Sequence, residues 1–502
     1  MTISVLPYRD ELKVGKGRLF IDGQWSDSSD GGTWTHVHPA TNEEVATFAV
    51  ASAADVDRAV HAARRAFDEG PWPAMKARDR KLLLRRYIDA LIENADEINR
   101  LQSLDNGLPI SFSSMYQVSA SFAADIFDYH TGWIDKLTGE TIPHFTGAEY
   151  FSYTLREPVG VVAAIIPWNA PVFLFAQKAA PALATGCTVV MKPSEYASLA
   201  VIRMTELLDE VGFPPGVFNL VPGEGPSTGE ALITHPLVDK VTFTGSRAVG
   251  QRILAASADG IKRVSLELGG KSANLIFSDV DVSMAAMSAM GMVTWGMSGQ
   301  GCVCQTRALV DRNIYDDFLD NAATITQMIT YGDPFAETTT SGPIINQRQL
   351  GRVMGYIEKG QEEGARLVFG GDRPGGELAS GNWVNPTLFA DVDNKMSIAQ
   401  EEIFGPVLSA IPVNGEEEAI RIANDTNYGL GAGIQTSDVK RAHRVAKALR
   451  AGTIGINGFM VMPNTPFGGY KTSGLGREGG RESIEAFTET KTVDVALTDS
   501  PI

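Results

Sequence analysis

Cysteine is nearly absent from this chain: there are three in 502 residues, at positions 187, 302 and 304. Three cysteines cannot build a disulfide framework, and such sparing use suits a reducing compartment. Histidine is scarce as well. The seven are scattered, no His/Cys cluster has metal-ligand spacing, and no resident metal is expected. Basic residues are in deficit, 43 Lys and Arg against 60 Asp and Glu, a formal charge of −17. That balance argues against a nucleic-acid partner, because such binding draws most of its affinity from cations on phosphates. Long apolar runs are missing too. The longest, 159–166, is far too short to span a bilayer, so no membrane partner is expected. The opening MTISVLPYRDELKVGKG carries acids and no signal-like apolar stretch, which makes the cytoplasm the expected location.

What is present is the composition of a globular α/β enzyme, 44% hydrophobic with 51 glycines and 25 prolines. The length is too great for one ordinary core, so two or three domains are expected. Residues 18–50 alternate apolar and polar between turn signals and read as short antiparallel strands. Ser52 and Asp55 form a capping box, followed by helices over 81–93 and 95–104, the latter stopped by Asn106-Gly107, and a helical stretch over 112–133. Residues 137–157 are broken by Gly139, Pro143 and Gly147, then turn β-prone.

From position 159 the pattern becomes strand and helix in alternation, with strands at 161–166, 188–191, 217–221, 240–244 and 263–268. Helical stretches at 170–184 and 199–211 lie between. This demands a parallel sheet covered on both faces, the architecture that binds nucleotides at its carboxyl edge. A second α/β segment follows, with strands at 273–277, 308–310, 367–369 and 453–457. No repeat or low-complexity linker separates the two, so the domains pack directly around a cleft.

The stretch 295–307, WGMSGQGCVCQTR, holds Cys302 behind Gly296, Ser298, Gly299 and Gly301. Glycines there let backbone approach a ligand and free N–H groups to face it, as a thiolate attacking a carbonyl requires. Such a thiolate needs a helix N-terminus or a neighbouring charge to form. Cys187 and Cys304 read as small buried hydrophobes. Glu267, directly after an apolar run and before Leu268-Gly269-Gly270-Lys271, is a candidate base; otherwise it is a strand-end carboxylate paired with Arg263 or Lys271. The usual GxGxxG fingerprint is missing. Gly223, Gly225 and Gly229, and Gly245-Ser246 with Gly250, sit between strands and helices, where they suit either a pyrophosphate or plain turns.

Six motifs carry a resemblance: PWN at 167–169, KPSE at 192–195, ELGGK at 267–271, GQGC at 299–302, EEIFGP at 401–406 and PFGGYKTSGLGRE at 466–478. In this order and spacing, over nearly the full length, the chain resembles the aldehyde dehydrogenase superfamily of the non-acylating, Cys-nucleophile type. The resemblance implies a Rossmann-like cofactor domain (1–136 and 158–268), a catalytic domain (269–480) and a small β oligomerisation arm with tail (137–157 and 481–502). The arm implies a homodimer or homotetramer; on the residues alone it reads equally as a surface hairpin.

It also implies NAD as cofactor. Lys192 and Glu195 would take the adenosine ribose hydroxyls, and Glu402 and Phe404 the nicotinamide ribose and ring. Ile166, Pro167, Trp168 and Ser194, Gly225, Gly229, Phe243 and Gly245, and Ser246, Val249, Leu268 and Gly269 would complete the seat. A carboxylate at Glu195 disfavours a 2′-phosphate, so NADP is the poorer fit. Cys302 is then the nucleophile. Asn169 is the oxyanion donor with the Cys302 N–H, or alternatively a helix cap. Glu267 hydrolyses the thioester, and Glu478 relays the proton.

The aldehyde pocket is expected from Leu174, Gln177, Trp295, Gly296, Val303, Phe459, Met460, Met462 and Phe467, a soft apolar set for a medium to long aliphatic, terpenoid or aromatic aldehyde. Gln177 and Gly296, where relatives carry large aromatics, suggest a roomy tunnel. Gln305 stands where a small residue is usual. The alternatives are a coenzyme A-acylating enzyme, which generally lacks the base, and a silent structural relative.

Overall fold

The computed structural model describes residues 3–115, 117–145 and 149–497. Gly147 of the expected arm and the tail end 498–502 lie outside the described residues, as do 1–2 and 116. An eight-stranded sheet runs in the order Gly474–Leu475, Arg263–Glu267, Lys240–Thr244, Val161–Ile165, Thr188–Lys192, Phe218–Leu220, Leu19–Ile21, Gln24–Ser26. Its five central strands are parallel, while both ends are closed by antiparallel additions. The early hairpin 19–26 is one of these. The other is unexpected: Gly474–Leu475, from the segment assigned to the second unit, returns to the first sheet and pairs with Leu266 and Glu267.

The second sheet has seven strands in the order Arg366–Phe369, Thr387–Ala390, Val407–Val413, Arg307–Asp311, Ala273–Ile276, Gly431–Gln435, Thr453–Ile456, all parallel except the first. Three of them, Thr387–Ala390, Val407–Val413 and Gly431–Gln435, were not foreseen. A third sheet pairs Thr488–Ala496 with Tyr150–Pro158 along nine residues, with Thr141–Ile142 at its edge. Ile142, Phe151, Leu155 and Val495 are exposed on it.

Local chemistry sets the helices. Ser52 and Asp55 cap Ala53–Asp68 reciprocally, as expected. Ala95–Asn106 stops at Gly107, whose φ of 74° ends it in the left-handed region. The expected helix over 112–133 is two helices, Ile110–Met115 and Ala120–Thr131, because the Ser119 hydroxyl accepts from the Phe122 N–H and starts the second. Pro171–Thr185 is buried at every position except Phe173, as a helix packed on all sides must be. Among the described residues no helix is long and apolar enough to cross a membrane. Strand ends from both large sheets, with the loops that follow them, meet at the nucleophile loop.

Candidate active site

The loop carrying Cys302 is held by its own motif residues. Gly296, Ser298 and Gly299 all have positive φ, of 65°, 49° and 71°. Gln300, the Q of GQGC, is a brace: its amide donates to Met297 O at 3.0 Å and Pro343 O at 2.9 Å and accepts from the Ile345 N–H at 2.9 Å. A Cβ on Gly299 would lie 2.0 Å from the Gly405 carbonyl oxygen, and one on Gly270 would lie 2.6 Å from the Cys302 carbonyl oxygen. Two motifs far apart in sequence therefore touch through glycine. Gly299→Ala combines a left-handed backbone with this clash, so a loss of several kcal/mol is expected, on the order of 2–4, read as a lowered Tm and loss of soluble protein.

Cys302 sits in this loop, not at a helix N-terminus, and among the described residues the main charges acting on it are carboxylates, not the expected cation. Withdrawal from water pushes its thiol far up, and the Glu402 and Glu267 carboxylates push the same way. The proton must leave to a base when the sulfur attacks. The Cys302 N–H has no backbone acceptor among the described residues and faces its own sulfur. Cys304 and Cys187 are both buried as expected: the Cys304 thiol donates to Met292 O at 3.2 Å and packs in a separate core cluster, and Cys187 lies beside Phe487 O. Gln305 lies over Gly433 of the second sheet.

Asn169 does not cap the helix that follows. Its Nδ2 donates to Gln300 O at 2.8 Å, which places the amide beside the thiol loop. Glu267 ends its strand, buried, with Oε2 unpartnered among the described residues. The pairings weighed for it do not form: Arg263 binds Glu489 at 2.7 Å, and the Lys271 ammonium has no partner among the described residues. Burial raises the Glu267 carboxyl well above its usual range, and Glu478 raises it further, while Lys178 and Arg477 oppose. Gly468 makes room for it, since a Cβ there would lie 2.7 Å from Glu267 Oε1. Glu478 is ion-paired with the fully buried Lys178, a partner that sequence spacing did not reveal.

The carboxyl edge of the first sheet gathers the expected cofactor residues. Lys192 Nζ donates to Pro193 O at 2.8 Å and to Gly223 O, which leaves one of its three protons unspent. Burial lowers it to about 8, against the opposing pull of Glu195 and Glu224. Glu195 is partly exposed next to Ser194, and its oxygen is 3.4 Å from the Ser194 hydroxyl. Gly225–Gly229 forms a π-helical turn, not a plain turn, and a Cβ on Gly225 would meet nothing within 4 Å. Ser246 caps Arg247–Ala258, with Val249 exposed on its first turn.

Phe243 and Leu268 pack under Gly245 and Gly250. Ile166 is buried, and its N–H donates to Lys192 O. Trp168, just after Pro167, meets Phe404 edge-on at 5.4 Å. The Glu402 carboxylate accepts from the Gly270 N–H at 3.1 Å and lies over Gly269; burial raises it to about 7. A spare ammonium proton, a half-open carboxylate, a capped helix start and an open glycine face make a seat that fits a dinucleotide.

The apolar wall differs in part from expectation. Cys302 and Val303 pack with Phe459, Phe467, Val461, Leu430 and Phe173. Phe173 was missed, although it lies midway between Asn169 and Gln177 at helical spacing. Phe122 stacks on it at 6.1 Å. Met460 and Met462 stand 64% and 39% exposed, outside the cluster, because the inward residue of that loop is Val461, held by its N–H to Gln117 Oε1 at 3.2 Å. Leu174 is buried in the large first core, and Trp295 packs over Gly291. The room expected at Gly296 is taken: a Cβ there would lie 2.4 Å from the Phe112 ring. Gln177 is buried.

Three kinds of comparison agree. The model of the aldehyde dehydrogenase family matches residues 25–493. Aldehyde dehydrogenase 1 of Tanacetum cinerariifolium is 44% identical over 487 residues, covering 96% of each chain. The mitochondrial aldehyde dehydrogenase of Homo sapiens is 42% identical over 483 residues, 96% of this chain and 92% of that one. Among solved structures, the NAD+ complex of an aldehyde dehydrogenase from Bacillus cereus superposes with a TM-score of 0.94 at 39% identity, over 99% of this chain and all of that one. Betaine aldehyde dehydrogenase from Staphylococcus aureus with NAD+ gives 0.96 at 36% identity, over 99% and 98%.

Proposed function

Since the chain belongs to the aldehyde dehydrogenase family, we propose that it oxidises an apolar-bodied aldehyde to the carboxylic acid with NAD as acceptor. The supporting observation is the meeting of three groups at one loop: the Cys302 thiol, the Asn169 amide on Gln300 O, and a buried Glu267 whose charge reaches the sulfur. The sulfur bonds to the aldehyde carbon as its proton passes to a base, and the new oxyanion faces the Asn169 amide and the Cys302 N–H. Lys192, Glu195, Glu402 and Phe404 would hold NAD, which when bound would supply the hydride acceptor. The C–H bond then breaks and leaves a thioester on Cys302. Glu267 takes a proton from water, hydroxide adds to the thioester carbon, and the C–S bond breaks to release the acid and restore Cys302 as a thiolate. Lys178 and Glu478 lie where that proton can be passed on.

Mass analysis of the product tests this. Acid formed without coenzyme A supports the reading, whereas a thioester formed only with coenzyme A would replace it with the acylating reaction. The two large sheets are read as the cofactor and catalytic units, with 137–157 and 481–502 as the arm through which copies join.

Two further outcomes follow from the site. Glu195→Gln removes the charge that opposes a 2′-phosphate, so the NADP to NAD ratio of kcat/KM rises tenfold or more, on the order expected for relieving one like-charge contact. An unchanged ratio would remove Glu195 from cofactor choice. Glu478→Gln takes away the neighbour that raises Glu267 and leaves Lys178, which lowers it. The acid limb of the pH–rate profile therefore moves to lower pH; a limb that stays put or rises contradicts the coupling.

A further inference from the structure

Asn169, Phe173 and Gln177 recur at four-residue intervals, about one helical turn, so Pro171–Thr185 carries Phe173 and Gln177 on one face in continuation of Asn169. The near end of that line is anchored at the nucleophile loop, where Asn169 Nδ2 donates to Gln300 O at 2.8 Å. Phe173, one turn on, packs into the apolar cluster that contains Cys302, Phe459 and Phe467. Gln177 comes next, about 6 Å further along the axis at the rise of an α-helix. It is the polar exception on this face. The side chain is 2% exposed, and Oε1 has no hydrogen-bond partner among the described residues.

Among the described residues Asn274 is the other buried amide that lacks partners, but it lies in the second sheet, away from this helix; two further buried amides are satisfied. Gln102 donates to Ser113 Oγ at 2.9 Å and Val118 O at 3.0 Å, and Gln300 is satisfied at both ends. A buried amide oxygen left without a donor is unfavourable, so the site favours a ligand that brings a proton to it.

Resting on the aldehyde-oxidising reading above, we infer that Gln177 is the polar end of the aldehyde tunnel and that the preferred substrates are hydroxylated aromatic aldehydes. Their formyl carbon lies at Cys302, the ring lies among Phe173, Phe459 and Phe467, and the hydroxyl meets the Gln177 amide. A hydroxyl both donates and accepts, so it satisfies the amide in either orientation. A plain alkyl chain leaves the amide unpaired. An ammonium group would need a countercharge; of the carboxylates near this helix, Glu478 is already paired with Lys178, and burial holds the Glu267 carboxyl well above its usual range. Sites that hydrogen-bond a substrate hydroxyl reject the analogue without it, because their own polar group is then stranded.

The test compares 4-hydroxybenzaldehyde with benzaldehyde in the wild type and in Gln177→Met, which keeps the side-chain length and removes the amide. The ratio of kcat/KM within one variant cancels any loss of folded protein. Tenfold or greater preference for the hydroxylated aldehyde in the wild type, falling to near one in Gln177→Met, is expected. No preference in the wild type, or a preference that survives the substitution, overturns the assignment. Calorimetric binding of the same pair to Cys302→Ala needs no turnover: equal affinities there overturn it even if the activity stands, whereas absence of NADH from every aldehyde overturns the activity while this binding difference persists.

Discussion

Cys302→Ala abolishes aldehyde oxidation, with a loss of at least about 10,000-fold in kcat, the scale seen when an enzyme's nucleophile is removed. NAD affinity, measured by calorimetry, stays within about twofold. The loop does not depend on the sulfur for its shape: Gln300 binds three backbone groups, and the Ser298 hydroxyl meets that of Ser341 at 2.8 Å. A Cβ remains at the position, so the backbone has no reason to move. Turnover above a few per cent of the wild type would exclude a covalent role for this thiol. The charges that act most on the reactive sulfur are those of carboxylates. Attack by the sulfur therefore depends on a proton acceptor more than on a standing thiolate, and the rate should fall steeply as pH falls.

Glu267→Gln separates the two halves of the reaction. NADH appears as a burst of about one equivalent per site, then slows by roughly 100- to 10,000-fold, the contribution typical of a positioned general base. Intact mass analysis should find acyl adduct on Cys302, and steady NADH release at the wild-type rate would exclude the role. The sign of the pH effect follows from the raised carboxyl. Only its ionised form accepts a proton, so hydrolysis declines as pH drops through the folded value, and the variant loses that limb. Stability runs the other way. A carboxyl raised by burial contributes most below its unfolded pKa, and that contribution is lost as pH rises through the folded one. Glu267→Gln therefore melts above the wild type under alkaline conditions, with the gap closing toward acid.

The regular alternation of short apolar runs and helical stretches made the central strands of the first sheet legible, because parallel strands buried on both faces have continuous apolar sequences. The second sheet was harder. Gly431–Gln435 reads GAGIQ and Val407–Val413 contains Pro412, so propensity pointed away from strands that tertiary pairing then imposed. Cys302 and Glu267 stood out by the glycines beside them, and the resemblance carried by GQGC, ELGGK and PWN then assigned their roles and that of Asn169. Lys178, Phe173 and Phe112 could not be singled out, since their partners lie hundreds of residues away or across a helix turn with no local mark. The emptiness expected at Gly296 failed for the same reason, as Phe112 fills it from a distant helix.

The return of Gly474–Leu475 to the first sheet fixes Glu267 from the far end of the chain, through Glu267 against Gly474 and Phe467 against Glu478. A ribosome that has made 450 residues has already produced the thiol, the amide and most of both sheets, and Glu267 is paired on one side with Thr244, but its other edge still lacks Gly474. The surroundings that set its acidity, Gly468, Arg477 and Glu478, are completed only as the last few dozen residues emerge.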